Sequence, residues 1–182
     1  MAVNEAKTIQ VEEYQASRNF LLFQILLRLL AGGAALAAVI IMVSNRQISY
    51  VFGIAVEAKF SYSESFKFFV AANSLAFVYS LVSVFFMARS SSSKYKILFA
   101  LSVLDLATTA LLASGCSAAT AVAYIAKNGN QHAGWLAICD YMDSYCSRGG
   151  ISLACSYAAF VVFFLLAATT MKGPRQTTAA SY

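Results

Sequence analysis

Charged residues are scarce in this chain: of its 182 residues, 12% are Asp, Glu, Lys or Arg, whereas 60% are hydrophobic. Histidine, tryptophan and proline occur once each. We find no nucleophile beside a base, no glycine-rich phosphate loop and no haem-attachment spacing. The sequence therefore predicts no catalytic, cofactor-binding or metal-binding residues, and we expect that the protein is not an enzyme. A water-soluble helical bundle is excluded as well, because its helices would carry charges at nearly every turn.

Long apolar runs are what the sequence has instead. Four of them reach the length of about 18 or more residues that crosses a bilayer as a helix; they cover residues 20–43, 66–88, 97–123 and 150–171. We therefore predict an all-α membrane protein, a four-transmembrane-helix bundle that forms one domain over residues 20–171. We expect the polar tail of residues 1–19 to be flexible, with at most a short amphipathic part. The tail of residues 172–182 is expected to be too short to fold.

The distribution of basic residues predicts how the helices cross the membrane. Lys and Arg gather on the cytoplasmic side, most reliably in short loops. The loop RSSSSKYK, which begins at Arg89, holds three cationic residues and no acid. If this loop is cytoplasmic, both termini are cytoplasmic too, and the first and third helices run in the same direction. The net charge of +5 then reflects membrane topology rather than nucleic-acid binding.

Two charges interrupt the apolar runs, Arg28 in the first helix and Asp105 in the third. An ionised side chain at the centre of a membrane helix costs about 2.5–3.5 kcal/mol on insertion scales, so it needs a partner or water. Each charge lies eight residues beyond the start of its run, at a depth of ~12 Å in helices that run in parallel. We therefore predict a structural ion pair, with Gly32 and Gly33 leaving space for helix three to come close. The alternative is an ion or proton path that uses the same two charges.

Each of the first three helices carries a stripe of small and polar residues at spacings of three and four, which places the stripe on one face. Small residues let helices approach closely in lipid, so we expect these faces to line the interior of the bundle. The stripes are Gln24, Arg28, Gly32 and Ala35 in helix one; Asn73, Ala76, Ser80 and Ser83 in helix two; and Ser102, Asp105, Thr109, Ala113, Cys116 and Thr120 in helix three. Contacts between protomers are then expected on other faces, at Ala34 and Ala38 or at Ala71 and Ser74.

The first outer loop alternates apolar and other residues with a period of two, at Ile48, Tyr50 and Phe52 and again at Ile54 and Val56. With Gly53 between the two halves, this pattern predicts a short β-ribbon, which we expect to lie on the membrane surface. An irregular loop is the alternative.

The second outer loop contains two cysteines, Cys139 and Cys146, together with the single tryptophan. The outer face of a cell membrane is oxidising, so two cysteines in one short loop suit a disulfide. A zinc site would need four ligands, and only His132 and two carboxylates lie nearby. Trp135 is placed at the expected water–lipid boundary, where we expect it to act as an interface anchor. Cys116 and Cys155 lie in helices at similar depth, which leaves a second bridge open.

These residues together resemble a family of plant proteins. The Arg in helix one, the Asp in helix three, the segment FKFFVAAN that opens helix two, and Trp135-x-x-x-Cys139 followed by Cys146 are similar to the Casparian strip membrane domain protein-like family. The resemblance covers almost the whole chain, and the family in turn resembles the MARVEL four-helix group. The segment AKFSYSESFKFF departs from the stretch that is characteristic of the founding members, so we place the chain among the like proteins.

The resemblance implies a plasma-membrane protein that forms assemblies with itself and with paralogues of its family. The founding members build immobile membrane platforms that recruit wall-modifying enzymes such as peroxidases. We therefore expect a self-associating scaffold that organises membrane domains, with cell-wall-modifying enzymes as further partners. The alternative from another functional class is a small ion or proton channel or transporter that uses Arg28 and Asp105. A third interpretation is an adhesion or barrier component that acts through the outer loops.

Overall fold

Four long helices form a bundle in the computed structural model, which describes residues 2–51, 53–89 and 94–179. They are α1 (Ala2–Ser44), α2 (Glu64–Arg89), α3 (Lys94–Asn128) and α4 (Asp143–Ala179). Each contains a stretch that is long and apolar enough to cross a membrane: Arg18–Ser44, Glu64–Arg89, Phe99–Asn128 and Asp143–Thr170. The predicted four-helix membrane fold is therefore confirmed.

The helices pack as a ring, in which α1 contacts α2 and α4, and α3 contacts the same two helices from the opposite side. The helices α1 and α3 therefore face each other across the diagonal of the bundle. The interior of the bundle is built largely from small side chains, because alanines at six positions are completely buried: Ala31, Ala35, Ala38, Ala76, Ala119 and Ala159. Small residues permit this packing, since helices in lipid gain stability from close contact rather than from apolarity itself.

The predicted polar stripes line this interior. All four stripe residues of α1, all four of α2, and Ser102, Asp105, Thr109 and Cys116 of α3 are buried, whereas Thr120 is exposed. The expected protomer contact at Ala38 is wrong, because Ala38 is fully buried and its carbonyl oxygen accepts a hydrogen bond from Ser152. Ala71, by contrast, is exposed on α2.

The helices extend beyond the predicted spans, and both tails differ from the expectation. Helix α1 already begins at Ala2, because the first tail is rich in good helix formers and extending an existing helix is much easier than nucleating one. Helix α4 likewise continues through the second tail to Ala179. The second outer loop, between α3 and α4, is also shorter than predicted, since α3 runs to Asn128 and α4 begins at Asp143. An acid in the first turn favours that beginning, because the helix dipole is positive there.

The predicted ribbon is present as a hairpin of two antiparallel strands, β1 (Arg46–Val51) and β2 (Ile54–Lys59); Phe52 lies outside the described residues. Residues directly opposite each other in such a pair project to the same face. Because Ile48 pairs with Glu57 and Ser49 pairs with Val56, the apolar residues of the two strands point to opposite faces. The hairpin thus has no single apolar face, and its expected position on the membrane surface remains a prediction.

At Gly32, α1 packs tightly against α2. A Cβ atom added at Gly32 would lie 2.6 Å from Ser80 Oγ and 2.9 Å from Ser80 Cβ, whereas one added at Gly33 would meet nothing within 4 Å. The expected role of Gly32 and Gly33 in admitting helix three is therefore wrong: Gly32 makes room for α2, which is the neighbour of α1 in the ring, and Gly33 faces open space.

We predict that Gly32→Ala destabilises the protein and that Gly33→Ala does not. Overpacking a tight contact costs about 1–3 kcal/mol, whereas replacing an unconstrained helical glycine gains about 0.5–1 kcal/mol. Thermal unfolding of both variants in one detergent measures the difference, and Gly33→Ala serves as the matched control. Equal unfolding temperatures for the two variants would show that the contact at Gly32 is not tight.

Candidate functional site

The structure brings Arg28 and Asp105 together across the diagonal of the bundle. Arg28 Nη1 donates to Asp105 Oδ1 at 2.8 Å, and Arg28 Nη2 donates to Asp105 Oδ2 at 2.7 Å. The side chains are 1% and 0% exposed, respectively. Two parallel N–H···O contacts of this kind are the strongest pairing available to an arginine and a carboxylate. The long arginine side chain is what allows α1 to reach α3 although the two helices are not neighbours in the ring.

Tyr79 of α2 completes this site. Its hydroxyl donates to Asp105 Oδ1 at 2.6 Å, lies 3.2 Å from the carbonyl oxygen of Leu101, and accepts from Arg28 Nη1 at 3.3 Å. The guanidinium carbon of Arg28 lies 5.9 Å from the centre of the tyrosine ring, within the range of a cation–π contact. The ion pair therefore connects three helices rather than two.

Tyr79 is not among the residues predicted from the sequence, because it lies directly before Ser80 and so falls beside the predicted stripe of α2. The position of Tyr79 along α2 could have indicated its role. Tyr79 precedes the Arg89 end of α2 by ten residues, or ~15 Å of helix, which is close to the depth predicted for the two charges.

Further bonds tie α1 to its two neighbours in the ring close to the ion pair. Ser80 Oγ of α2 donates to the carbonyl oxygen of Arg28, and Gln24 Nε2 donates to Thr169 Oγ1 of α4 at 3.0 Å. Gln24 and Arg28 are one helical turn apart and both are buried. Arg28 Nε and Gln24 Oε1 have no hydrogen-bond partner within the described chain. All four helices thus meet around the charges.

A second polar junction holds the half of the bundle nearer the hairpin. Ser156 Oγ of α4 donates to Asn73 Oδ1 of α2 at 2.8 Å and lies 3.0 Å from Cys116 Sγ of α3. Ser152, one turn before Ser156, donates to the carbonyl oxygen of Ala38 in α1 at 2.7 Å. These neutral contacts again connect all four helices. Cys116 is a free thiol in this junction and Cys155 is also free, so the second bridge left open by the sequence is not formed.

Cys139 and Cys146 form a disulfide that closes the connection between α3 and α4. The backbone N–H groups of Ile138 and Cys139 both donate to the carbonyl oxygen of Ala126, which folds this loop back onto the end of α3. Gly129 turns the chain there with a φ of 66°, and a Cβ atom on it would lie 2.7 Å from the carbonyl oxygen of Trp135. The loop is thus held by backbone bonds as well as by the disulfide.

The hairpin docks on this disulfide loop through two polar contacts. Ser49 Oγ donates to the carbonyl oxygen of Tyr141 at 2.8 Å, and the backbone N–H of Tyr145 donates to Gln47 Oε1 at 2.7 Å. Beyond the hairpin, the Tyr62 hydroxyl donates to Glu57 at 3.1 Å, and this bond raises the pKa of Tyr62 above its ordinary value of 10.

Trp135 and His132 are both exposed in the disulfide loop, Trp135 at 56%. The backbone of Trp135 pairs with Asn130, whose side chain accepts from the N–H of His132. Both residues lie in the loops at the hairpin end, away from the ion pair. The structure therefore has two separate regions, a buried polar interior and a set of exposed loops at the hairpin end. An anchoring role for Trp135 at the membrane interface is consistent with this exposure and remains a prediction.

We predict that Asp105→Asn or Arg28→Ala alone prevents delivery of the protein to the cell surface. Removing one partner leaves the other charge unpaired in a low dielectric, a loss of about 3–5 kcal/mol for buried pairs. The double variant Arg28→Leu with Asp105→Leu leaves neither charge behind, and the Tyr79 hydroxyl keeps the Leu101 carbonyl as an acceptor. It should therefore reach the surface far better than either single variant. Quantitative surface labelling in one expression system measures the difference.

The exposed ion pair between Lys67 and Glu64 provides the matched control. Neutralising either of these residues should leave delivery unchanged, because exposed pairs contribute little. If the double variant at Arg28 and Asp105 is delivered no better than the worse single variant, the two charges do not stabilise each other.

We also predict that Cys139→Ser with Cys146→Ser loosens the disulfide loop and leaves the bundle folded. The two cysteines are seven positions apart, so closing this short loop contributes at most about 3 kcal/mol. Hydrogen exchange should rise at Ile138 and Cys139 and stay unchanged in α2. Increased exchange throughout α2 would contradict a local role, and free thiols at both positions in the native protein would contradict the disulfide itself.

Comparison with known proteins is consistent with this architecture. Residues 17–162 match the model of the Casparian strip membrane protein domain. The CASP-like protein 1F1 of Vitis vinifera is 43% identical over 171 residues, covering 91% of this chain and 82% of the relative. The CASP-like protein 1F1 of Arabidopsis thaliana is 41% identical over 152 residues, covering 84% and 89%. No solved structure matches the chain. The chain therefore belongs to the Casparian strip membrane protein domain family.

Proposed function

We propose that this protein is a self-associating scaffold of the plasma membrane that organises membrane domains and is not an enzyme. Membership of the family carries the proposal, because the match over residues 17–162 covers the first three membrane-spanning helices, most of the fourth and both loops at the hairpin end. The scaffold assembles with further copies of itself and with paralogues of the same family.

The closed ion pair supports a structural role over the alternative of a channel or transporter. Transport sites usually combine several polar groups with broken helices near the middle of the membrane. Here the Asp105 carboxylate accepts two bonds from Arg28 and one from Tyr79, and both charged side chains are almost completely buried. A charge engaged in this way holds helices together and leaves no oxygen of Asp105 free to exchange a proton with water.

Self-association requires a surface that faces away from the bundle interior, and α3 offers a suitable one. Five small residues at alternating spacings of three and four are exposed along it: Ala107, Ala110, Ser114, Ser117 and Ala121. The hydroxyls of Ser114 and Ser117 donate to carbonyl oxygens of their own helix, so they present no free donor to lipid. Small residues let a neighbouring helix approach closely. Ala71 of α2, which the sequence predicted as a contact between protomers, is exposed as well.

The loops at the hairpin end are the surface for further partners. Following the charge distribution, we place both termini in the cytoplasm and these loops outside the cell, where the wall-modifying enzymes act. Ile48 and Tyr50 of the hairpin are 67% and 76% exposed and project away from the disulfide loop, on the opposite face from Ser49. A recruited enzyme can contact this face without disturbing the bundle.

We predict slow, incomplete recovery after photobleaching of the fluorescently tagged protein in the plasma membrane of a plant cell, because scaffold assemblies exchange slowly. Ala110→Leu should accelerate recovery and reduce co-purification of two differently tagged copies, since a large side chain keeps the facing helices apart. Co-purification from detergent gives the direct measure of self-association.

Ala158→Leu provides the matched control. Ala158 is an exposed alanine of α4 that lies among the exposed large residues Tyr157 and Val161, where close approach is already prevented. The control should behave as the unmodified protein does. Fast and uniform recovery of the unmodified protein, with no co-purification of the two tagged copies, would contradict the scaffold function.

A further inference from the structure

A cavity of about 430 Å³ lies at the hairpin end of the bundle, between the last turns of α3 and the first turns of α4. Cavities of about 300–1,000 Å³ are the usual size of sites for small molecules. Apolar side chains such as Phe66, Ala123 and Leu153 line one part of it, and the disulfide between Cys139 and Cys146 lines another. The residues of the ion pair and of the junction at Ser156 do not line this cavity, so it is separate from both polar sites.

Two opposite charges border the cavity without meeting. Lys127 stands in the last turn of α3 and Asp143 in the first turn of α4, and both line the cavity. Across the described residues, the only ion pairs are Arg28 with Asp105 and Lys67 with Glu64. A lysine and an aspartate that share a cavity and stay apart complement a ligand that carries both signs of charge.

The aromatic residues narrow the chemistry of that ligand. Tyr124 and Tyr145 line the same cavity, and Tyr124 is 68% exposed. Quaternary ammonium groups favour aromatic faces together with a nearby carboxylate, whereas a lysine binds phosphate as a point charge. A phosphate ester joined to a trimethylammonium group therefore matches the charges of Lys127 and Asp143 and the rings of the two tyrosines.

The position of the cavity along the helices indicates how such a group arrives. The membrane-spanning stretch of α3 ends at Asn128 and that of α4 begins at Asp143, so the cavity lies at the boundary between the apolar spans and the polar loops. Exposed aromatic rings such as Tyr124 and Trp135 are typical of the headgroup level of a bilayer. We propose that the cavity binds one choline phospholipid, with its phosphate at Lys127, its ammonium at Asp143 and its acyl chains along the apolar lining.

Binding of 1-palmitoyl-2-oleoyl-phosphatidylcholine to the full chain, purified in detergent and stripped of lipid, tests this proposal by native mass spectrometry. We expect one retained lipid per protomer. The phosphatidylglycerol with the same chains, the matching diacylglycerol and soluble phosphocholine should each bind more weakly, because each lacks the ammonium, the whole headgroup or the acyl chains. Equal retention of diacylglycerol would overturn headgroup recognition, and equal binding of soluble phosphocholine would overturn the assignment to a lipid.

Variants of the cavity give the second arm of the test. Gly150 lines the cavity, and a Cβ atom added there meets nothing within 4 Å. We therefore expect the larger side chain of Gly150→Leu to occupy the cavity, with Gly150→Ala as its control. Lys127→Gln and Asp143→Asn should each weaken binding about three- to fivefold, as expected for partly exposed charges. Lys59→Gln makes the same charge change outside the cavity and should have no effect. If Gly150→Leu retains as much phosphatidylcholine as the unmodified protein, the proposed lipid site is wrong. This outcome is independent of the photobleaching experiment, which tests the scaffold function.

Discussion

The bond between Arg28 and Asp105 is the constraint on which the arrangement of the bundle depends. Neither charge can remain alone in an apolar interior, because desolvation costs several kcal/mol per ion and only a well-placed partner offsets it. Since α1 and α3 are diagonal in the ring, the arginine side chain has to cross the interior between α2 and α4. Those two helices accommodate it with Tyr79 and Ser80 on one side and with Thr169, through Gln24, on the other. One buried charge pair thereby fixes how all four helices face each other.

The other end of the bundle is held by different means. Contacts of Ser156 with Asn73 and Cys116, and the hydrogen bond from Ser152 to the Ala38 carbonyl oxygen, replace charges there. A disulfide closes the connection between α3 and α4. The polar groups that matter for stability are therefore inside, whereas the lipid-facing surfaces are apolar with small residues along α3. This division suits a scaffold, since assembly can proceed on the outer surfaces while the interior stays unchanged.

Much of this arrangement follows from local sequence patterns. Length and apolarity define the four membrane helices, and the spacing of three and four residues predicts which faces are buried. Tyr79 escapes such a pattern because its ring is large and apolar and only its hydroxyl, at the end, reaches Asp105. The roles of Gly32 and Ala38 depend on which helices are neighbours in the ring, and periodicity within one helix carries no information about that. Which side chains share a face of the hairpin depends on the strand register, because a shift of one residue would move every side chain of a strand to the opposite face.

Solid-state NMR on the protein in lipid bilayers can detect the ion pair inside the bundle directly. Arginine carries ¹⁵N at its guanidinium and aspartate carries ¹³C at its carboxyl, and Arg28 with Asp105 is the only such pair in contact within the described residues. Because the nitrogen and oxygen atoms are 2.7–2.8 Å apart, we expect a strong coupling that corresponds to about 4 Å or less between the labelled nuclei. The absence of this coupling in folded protein would show that Arg28 and Asp105 do not form an ion pair.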